Sequence, residues 1–466
     1  MNSPSKLLNR DLIADLRETI TGQVITPTDA GYDESRQLFY GGYDHRPAVI
    51  IKVAGVDDVV RVVSLARETG LPLGIRSGGH SMAGHSVPDG GIMLDLSAMK
   101  EIEIDPERRI AWAETGVTAG ELTAAANQHG LAIGFGDTGS VGIGGITLGG
   151  GVGFLSRKYG LTIDNLLAAE VVTADGQVLH VDESNHPDLF WAIRGGGGNF
   201  GVATRFRYRL HEVNQVVGGM LILPATPEAI TAFIAEADAA PEELSTIANV
   251  MSAPPMPFLP PELHGRLILL AFMVYTGDVE AGQRAIAPFR AITQPLADMV
   301  RPMAYPEMFP PEEEAYHPMA EGRTLFLDRV DLDTARRIIE HLQASDAPMR
   351  VLQLRVLGGA VARVPANATA YPHRQAPIMA NVAAFFTGPE DRPRRVEWVT
   401  NFARDLYQGN GGMYVNFLGE GDESQVRGAY PGDTWDRLAA VKLRYDPDNL
   451  FHLNQNVPPA PQASGR

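Results

Sequence analysis

Three glycine-rich segments within the first 201 residues limit most sharply what this chain can fold into. They are Arg76-Ser77-Gly78-Gly79-His80-Ser81, then Gly134 to Gly153 (GFGDTGSVGIGGITLGGGVG), then Gly195 to Gly201. Glycine is required where a backbone turns at positive φ or comes very close to a ligand or another backbone. Successive N–H groups in such turns form concave anion sites that suit a pyrophosphate. A single cluster reads as a tight turn. Three clusters at strand ends within about 130 residues read as one ligand cradle.

The flanking segments supply the strands. Val49 to Ala54 (VIIKVA) is apolar and β-branched, which predicts a strand. Asp57 is placed to cap a helix through VVRVVSLARE, and Gly70 to end it in a left-handed turn. Leu71 to Arg76 then predicts a second strand, parallel to the first in a βαβ unit. Ala169 to Ala174 and Gln177 to Val181 flank Asp175-Gly176, a hairpin signal. Asp188 to Arg194 predicts a short helix and VATRFRYRL a strand.

After about residue 212 the glycine clusters end. Residues 301–322 are rich in Pro and Glu and predict a long surface loop or lid. Strands are expected at Leu325 to Asp328, Val351 to Val356, Ala380 to Phe386 and Met413 to Phe417, with helices between. Residues 213–418 therefore read as a second, α+β domain with an antiparallel sheet. A helix (TWDRLAAVKLRY) is expected in the tail.

Composition removes several classes of function. The net charge is −17, which repels nucleic acid and anionic membranes. There is no cysteine, so disulfides, thiolate nucleophiles and cysteine-linked cofactors are excluded. The polar N-terminus (MNSPSKLLNRDLIADLRETI) carries no apolar signal core, and no apolar run reaches membrane-span length. A cytoplasmic protein, monomer or homodimer, is expected. The Asn367-Ala368-Thr369 sequon has meaning only in a secreted chain.

Gly196-x-Gly198-x-x-Gly201 matches the dinucleotide fingerprint literally, but a helix precedes it and a strand follows, the reverse of a Rossmann turn. His80 follows a strand and a Gly-Gly turn in the middle of the expected cradle. An imidazole there suits a base, a metal ligand or a covalent anchor, and a plain loop histidine is the bland alternative. His80 and His85 have no carboxylate cluster to complete a coordination set, so no metal is expected.

Four segments in this order, GIRSGGHSMAGHSVPDGGIMLDLS, GSVGIGGITLGGGVGFLSRKYGLTIDNL, WAIRGGGGNFGV and YDPDNLFHLNQNVP, resemble FAD-linked oxidases of the vanillyl-alcohol oxidase/PCMH superfamily. The nearest likeness is to the bacterial branch of the berberine-bridge-enzyme-like group, which includes 6-hydroxynicotine oxidases and antibiotic-tailoring oxidases. The resemblance implies an α+β protein. A PCMH-type FAD-binding domain of two α/β subdomains would comprise residues 1–212 plus 419–466, and a substrate domain residues 213–418. It implies FAD contacts from Arg76, Ser77, Gly78, Gly79, Ser81, Thr138, Ser140, Val141, Gly142, Gly145, Gly149, Gly151, Gly198, Val202 and Asn454. His80 matches the histidine that bonds the flavin 8α-methyl carbon. Thr138 stands where many relatives carry a cysteine bonded to flavin C6, so a single covalent link is expected. Val141 matches a position that gates oxygen, where valine goes with oxidases.

On the substrate side, many relatives carry a Tyr-x-Asn-Tyr pattern near the flavin whose last tyrosine is the base. This chain reads Tyr414-Val415-Asn416-Phe417, so that base is missing, which counts against a carbohydrate oxidase. Alternation puts Gln353 and Arg355 on one strand face, and the resemblance turns that face toward the flavin, where Arg355 would stabilise an anionic group on the substrate or the reduced flavin. Tyr371 is a further pocket candidate, and His373 and Arg374 either line the pocket or brace the domain junction. The expected reaction is hydride loss from a small organic substrate, an amine more readily than an unactivated alcohol, with molecular oxygen reduced to H2O2. A flavin dehydrogenase with another acceptor, a carbohydrate oxidase and a flavin-binding protein without catalysis are the rival readings.

Overall fold

The structure is a computed structural model that describes residues 8–310, 316–409, 411–419, 421 and 423–461. A four-stranded sheet opens the chain, in the order Gln23–Ile25, Val49–Lys52, Ile92–Asp95, Leu73–Arg76. The two strands of the expected βαβ unit are parallel, but each pairs with Ile92–Asp95, which lies between them. The connecting helix, Val56–Thr69, turns Val59, Val62, Val63 and Ala66 onto Val49, Ile51, Leu73 and Leu94. That is helical spacing laid on alternating strand positions. Gly70 ends the helix at φ +66°, its N–H donating to the Ala66 carbonyl.

Asp57 does not cap this helix. The N-cap is Gly55, without a side-chain bond, and Asp57 is exposed in the first turn. The neighbouring Asp58 is buried instead and accepts from the backbone N–H groups of Thr21, Gly22 and Ala54 at 2.9–3.0 Å. Its carboxylate serves a loop 36 residues away in sequence, a contact no local pattern announces.

A second, five-stranded sheet is antiparallel, in the order Ile102–Asp105, Ile110–Glu114, Val202–Arg209, Leu166–Val172, Val178–Val181. The hairpin at Asp175-Gly176 forms as read, with Val172 opposite Val178 and Gly176 at φ +82°. The short helix Pro187–Ala192 feeds the last glycine segment into Val202–Arg209.

The third sheet is antiparallel and contains Ala297–Asp298, Val216–Pro224, Leu267–Tyr275, Leu244–Ser252, Met349–Val356, Ile378–Phe386 and Met319–Leu327 in that order, with Arg301–Met303 also beside Val216–Pro224. Helices Pro227–Ala239, Val279–Ala291, Leu332–Ala344 and Arg392–Leu406 supply Phe233, Ile286, Ile338 and Phe402 to one core with Leu269, Ala271, Leu352, Leu354 and Val382 from the sheet. Period-two alternation leaves the opposite face to residues 249, 251, 353, 355, 381, 383 and 385, which line a cavity.

Two expectations change here. Met413 to Phe417 is no strand: Val415–Phe417 is a single 3-10 turn. The Pro- and Glu-rich stretch is more ordered than a loop, with the strand Arg301–Met303, the 3-10 turn Tyr305–Met308 and a strand starting at Met319. Residues 311–315 lie outside the described residues.

The helix Asp433–Tyr445 packs Trp435, Leu438 and Val441 into the core of the second sheet. Lys442, fully buried, bonds Asp446 Oδ2 at 2.6 Å and the carbonyls of Asn199 and Phe451 at 2.7 and 2.8 Å. It ties the tail to the last glycine segment. Asp446→Ala leaves this ammonium buried without its counter-charge, and the expected loss is about 3–5 kcal/mol of stability. Urea unfolding should show a lower midpoint at an unchanged slope.

Candidate functional site

The cradle is built by close backbone packing. A Cβ on Gly78 would run into the Gly142 amide, and one on Gly142 into Ser77 and Gly78. Ser77 Oγ donates to the Thr115 carbonyl at 2.7 Å and accepts from the Gly144 amide at 3.3 Å. The first and second glycine segments are thereby joined. Gly79, at φ +72°, turns the chain so that His80 follows directly. The His80 ring stacks on Phe39, centroids 4.2 Å apart, and its Nε2 lies 2.9 Å from Ser140 Oγ.

Between this cradle and the third sheet lies a cavity of about 680 Å³, inside the range of about 300–1,000 Å³ typical of ligand sites. Its wall includes Arg76, Ser77, Gly78, Gly79, His80, Ser81, Thr138, Val141, Gly142, Gly145, Gly198, Val202 and Asn454. Gln353, Arg355, Tyr414 and Asn416 come to it from the other side. A Cβ on Gly145 or Gly198 meets nothing within 4 Å. Asn454 donates to the Gly198 carbonyl at 3.2 Å, while its buried Oδ1 has no hydrogen-bond partner among the described residues. An unpaired buried acceptor beside bare glycine backbone is the chemistry a polar, elongated cofactor would complete. The residues present therefore fit FAD.

Four expected residues stand off this wall. Ser140 reaches it through His80. Gly149 leaves room for Asn416, whose side chain a Cβ there would strike. Gly151 donates its N–H to the Tyr414 hydroxyl at 2.8 Å. Tyr371 packs edge-on behind Tyr414, centroids 6.0 Å apart, and its buried hydroxyl finds no partner among the described residues. Burial raises the pKa of that phenol. Tyr371 therefore does not reach the cavity as a pocket residue should.

His373 and Arg374 brace the structure. Arg374 is fully buried and forks onto Asp164 at 2.7 and 2.8 Å. His373 stacks on Phe326 and its Nε2 lies 3.0 Å from the Ala429 carbonyl. Tyr414 accepts a second bond from Asn416 Nδ2 at 2.9 Å, and burial raises its pKa. Phe417 lies with its ring 5.3 Å from the Arg355 guanidinium.

The Arg355 guanidinium is already spent within the protein. It bonds the Val152 carbonyl, Gln353 Oε1 at 3.0 and 2.8 Å, and Asp137 Oδ2 at 2.7 Å. Asp137, Phe39, Asn249 and Asn381 are wall residues that sequence reasoning missed. Asp137 was visible as the single charge inside the run GFGDTGSVGIGG. Asn249 and Asn381 become apparent only when their strands fall beside Gln353, in one row across the sheet. Nothing local marks Phe39.

Comparison with known proteins places this geometry. Residues 47–182 match the FAD binding domain family, and residues 413–458 the berberine and berberine-like family. The (R)-6-hydroxynicotine oxidase of Paenarthrobacter nicotinovorans is 31% identical, over 95% of this chain and 97% of that one. The crystal structure of 6-hydroxy-D-nicotine oxidase from Arthrobacter nicotinovorans superposes with a TM-score of 0.83 at 28% identity, covering 94% of this chain and 98% of the other. Xylooligosaccharide oxidase from Myceliophthora thermophila does so with a TM-score of 0.84 at 25% identity, covering 97% and 100%. The chain belongs to the berberine-bridge-enzyme-like family of FAD-linked oxidoreductases, with the PCMH-type fold.

Two outcomes follow from this geometry. Burial holds the His373 imidazole down at about 4, against 6.5 for an exposed one. As pH falls the unfolded chain takes up the proton first, so stability is complete above about 6.5 and drains toward about 4, by on the order of 3 kcal/mol for this group. His373→Gln should remove that component from the pH profile of urea unfolding. Gly145→Val should leave the unfolding midpoint nearly unchanged yet fill the cradle, lowering the FAD-to-protein ratio after purification by about tenfold or more.

Proposed function

We propose that the chain is an FAD-dependent oxidase that carries its flavin on His80 and oxidises a small organic molecule, reducing molecular oxygen to H2O2. The observation that carries this reading is His80 itself, set by a left-handed glycine at the wall of a glycine-lined cavity and held by Phe39 and Ser140. Bound FAD would supply the two-electron oxidant. His80 would anchor it by a single covalent bond, since the chain has no cysteine for a second. The Gly78, Gly142 and Gly198 backbones would cradle it, and Asn454 Oδ1 would accept from it. Val141 on the cavity wall supports oxygen as the acceptor, through the likeness to relatives named oxidases.

Residues 1–212 with 419–466 would form the cofactor domain, and 213–418 the substrate domain. The third sheet turns Met251, Met349 and Phe385 toward the cavity, which fits an apolar body better than a saccharide.

Acid precipitation tests the anchor. The yellow pigment should stay with the wild-type polypeptide and pass into the supernatant in His80→Ala. A panel of amines, alcohols and hydroxylated aromatics, assayed for H2O2, tests the reaction. Reoxidation of the reduced flavin by air within seconds supports the oxidase, and reoxidation over many minutes supports a dehydrogenase.

A further inference from the structure

We propose that Asp137 receives the proton of the substrate's head group, and that this head is a hydrogen-bond donor, a hydroxyl or an amine, on an apolar body. The inference rests on the oxidase reading above and names its substrate class and its base.

Position 417 holds a phenylalanine, which has no proton to exchange. Arg355 is held by four hydrogen bonds within the protein, and the Phe417 ring packs on it. The Tyr414 hydroxyl already accepts from Gly151 and Asn416. Among the described residues, Asp137 is the only carboxylate on the cavity wall. Its Oδ2 is fixed by Arg355 Nη2 at 2.7 Å and by Gln353 Nε2 at 3.4 Å. Gln353 Nε2 also bonds Asn249 Oδ1 at 3.0 Å, and Gln353 Oε1 takes Arg355, so the orientation of the amide is set. No described residue donates to Asp137 Oδ1. Both residues line the cavity, and the Asp137 side chain keeps 25% of its exposure against 4% for Arg355, so the carboxylate is the more open of the pair.

Two acceptors on this side take no bond from a described residue, Asp137 Oδ1 and the Oδ1 of Asn381. Asn381 lies in the same row of the sheet as Gln353, and its buried Oδ1 has no partner among the described residues. Two open acceptors call for a donor, and an anionic head would be repelled by Asp137. Around them the sheet offers Met251, Leu270, Met349, Val351, Ala383 and Phe385. A sugar has a hydroxyl on nearly every carbon and would leave most of them unpaired against these side chains.

The oxidation then balances. The C–H bond of the head-bearing carbon breaks and both its electrons go, as hydride, to the FAD that the proposed function supplies. The O–H or N–H bond breaks, its electron pair closes the C=O or C=N bond, and its proton passes to Asp137 Oδ1. Arg355 acts as a positioning residue, holding the carboxylate where that proton leaves.

Titration of the flavin-loaded protein, followed by the perturbation of its visible absorption, provides the test. The probes are 2-naphthol, 2-naphthylamine, 2-methylnaphthalene and xylobiose; the carbon that bears the hydroxyl or amine in the two naphthyl donors has no hydrogen, so neither can lose hydride there. The wild type should bind 2-naphthol or 2-naphthylamine about tenfold or more tighter than 2-methylnaphthalene, and xylobiose most weakly. The tighter of the two donors tells hydroxyl from amine. In Asp137→Asn the amide turns its oxygen to Arg355 and presents NH2 to the cavity, so the donor preference should fall to within about twofold. Asp137→Glu, which keeps the charge beside Arg355, should hold its flavin and retain part of the preference. For whichever compound the peroxide panel turns over, anaerobic flavin reduction should slow by about 100-fold in Asp137→Asn. Equal wild-type affinities for 2-naphthol, 2-naphthylamine and 2-methylnaphthalene overturn the proposal, as does a preference that survives Asp137→Asn. If Asp137→Asn loses its flavin, a preference in Asp137→Glu identical to wild type overturns it. Protein that holds no flavin at all speaks against the oxidase reading instead, so the two failures are distinct.

Discussion

The contact between two bare backbones, at Gly78 and Gly142, is the constraint on which the site depends. One lies at the end of a strand in the first sheet, the other at the start of the helix Ile143–Gly149. Neither position admits a Cβ, so the two segments close to backbone distance and leave their neighbours arranged around a common hollow. His80 then falls beside Ser140, and Ser77 bridges to Thr115 and Gly144. A side chain at either glycine would part the segments and open the anion-binding concavity with them.

The same hollow needs a far wall, and the antiparallel sheet supplies it by alternation alone. Leu352 and Leu354 enter the helix-covered core, so Gln353 and Arg355 must face the other way. The sheet brings Asn249 and Asn381 into register with Gln353, and the cradle contributes Asp137, more than 200 residues earlier in the chain. A buried guanidinium is costly unless its donors are used. Here they are used on Asp137, Gln353 and Val152, which explains why Arg355 can sit 3% exposed.

The tail closes the arrangement. Lys442 and Asp446 are both fully buried, and each uses its charge on the partner and its remaining bonds on backbone. Asn199 does similar work, donating to Gly196 and Gln455 and accepting from Val457. These contacts hold Asn454 over Gly198, so the last glycine segment and the last residues of the fold meet at one cofactor wall.

Glycine clustering, strand alternation and the missing cysteine were legible in the sequence because each acts locally or by its absence. The cradle, the parallel strands and the Asp175-Gly176 hairpin follow from such local signals, and alternation put Gln353 and Arg355 on one face, which the family resemblance turned toward the flavin. The sequence also made plain that Phe417 cannot exchange a proton. The tertiary structure decided everything that depends on partners far apart in the chain: the buried Asp58 in place of an Asp57 cap, the retreat of Tyr371 behind Tyr414, the turn at Val415–Phe417, and the pairing of Asp137 with Arg355. Hydrogen bonds and ion pairs are short-ranged, and only the fold determines which groups come within about 3 Å of each other.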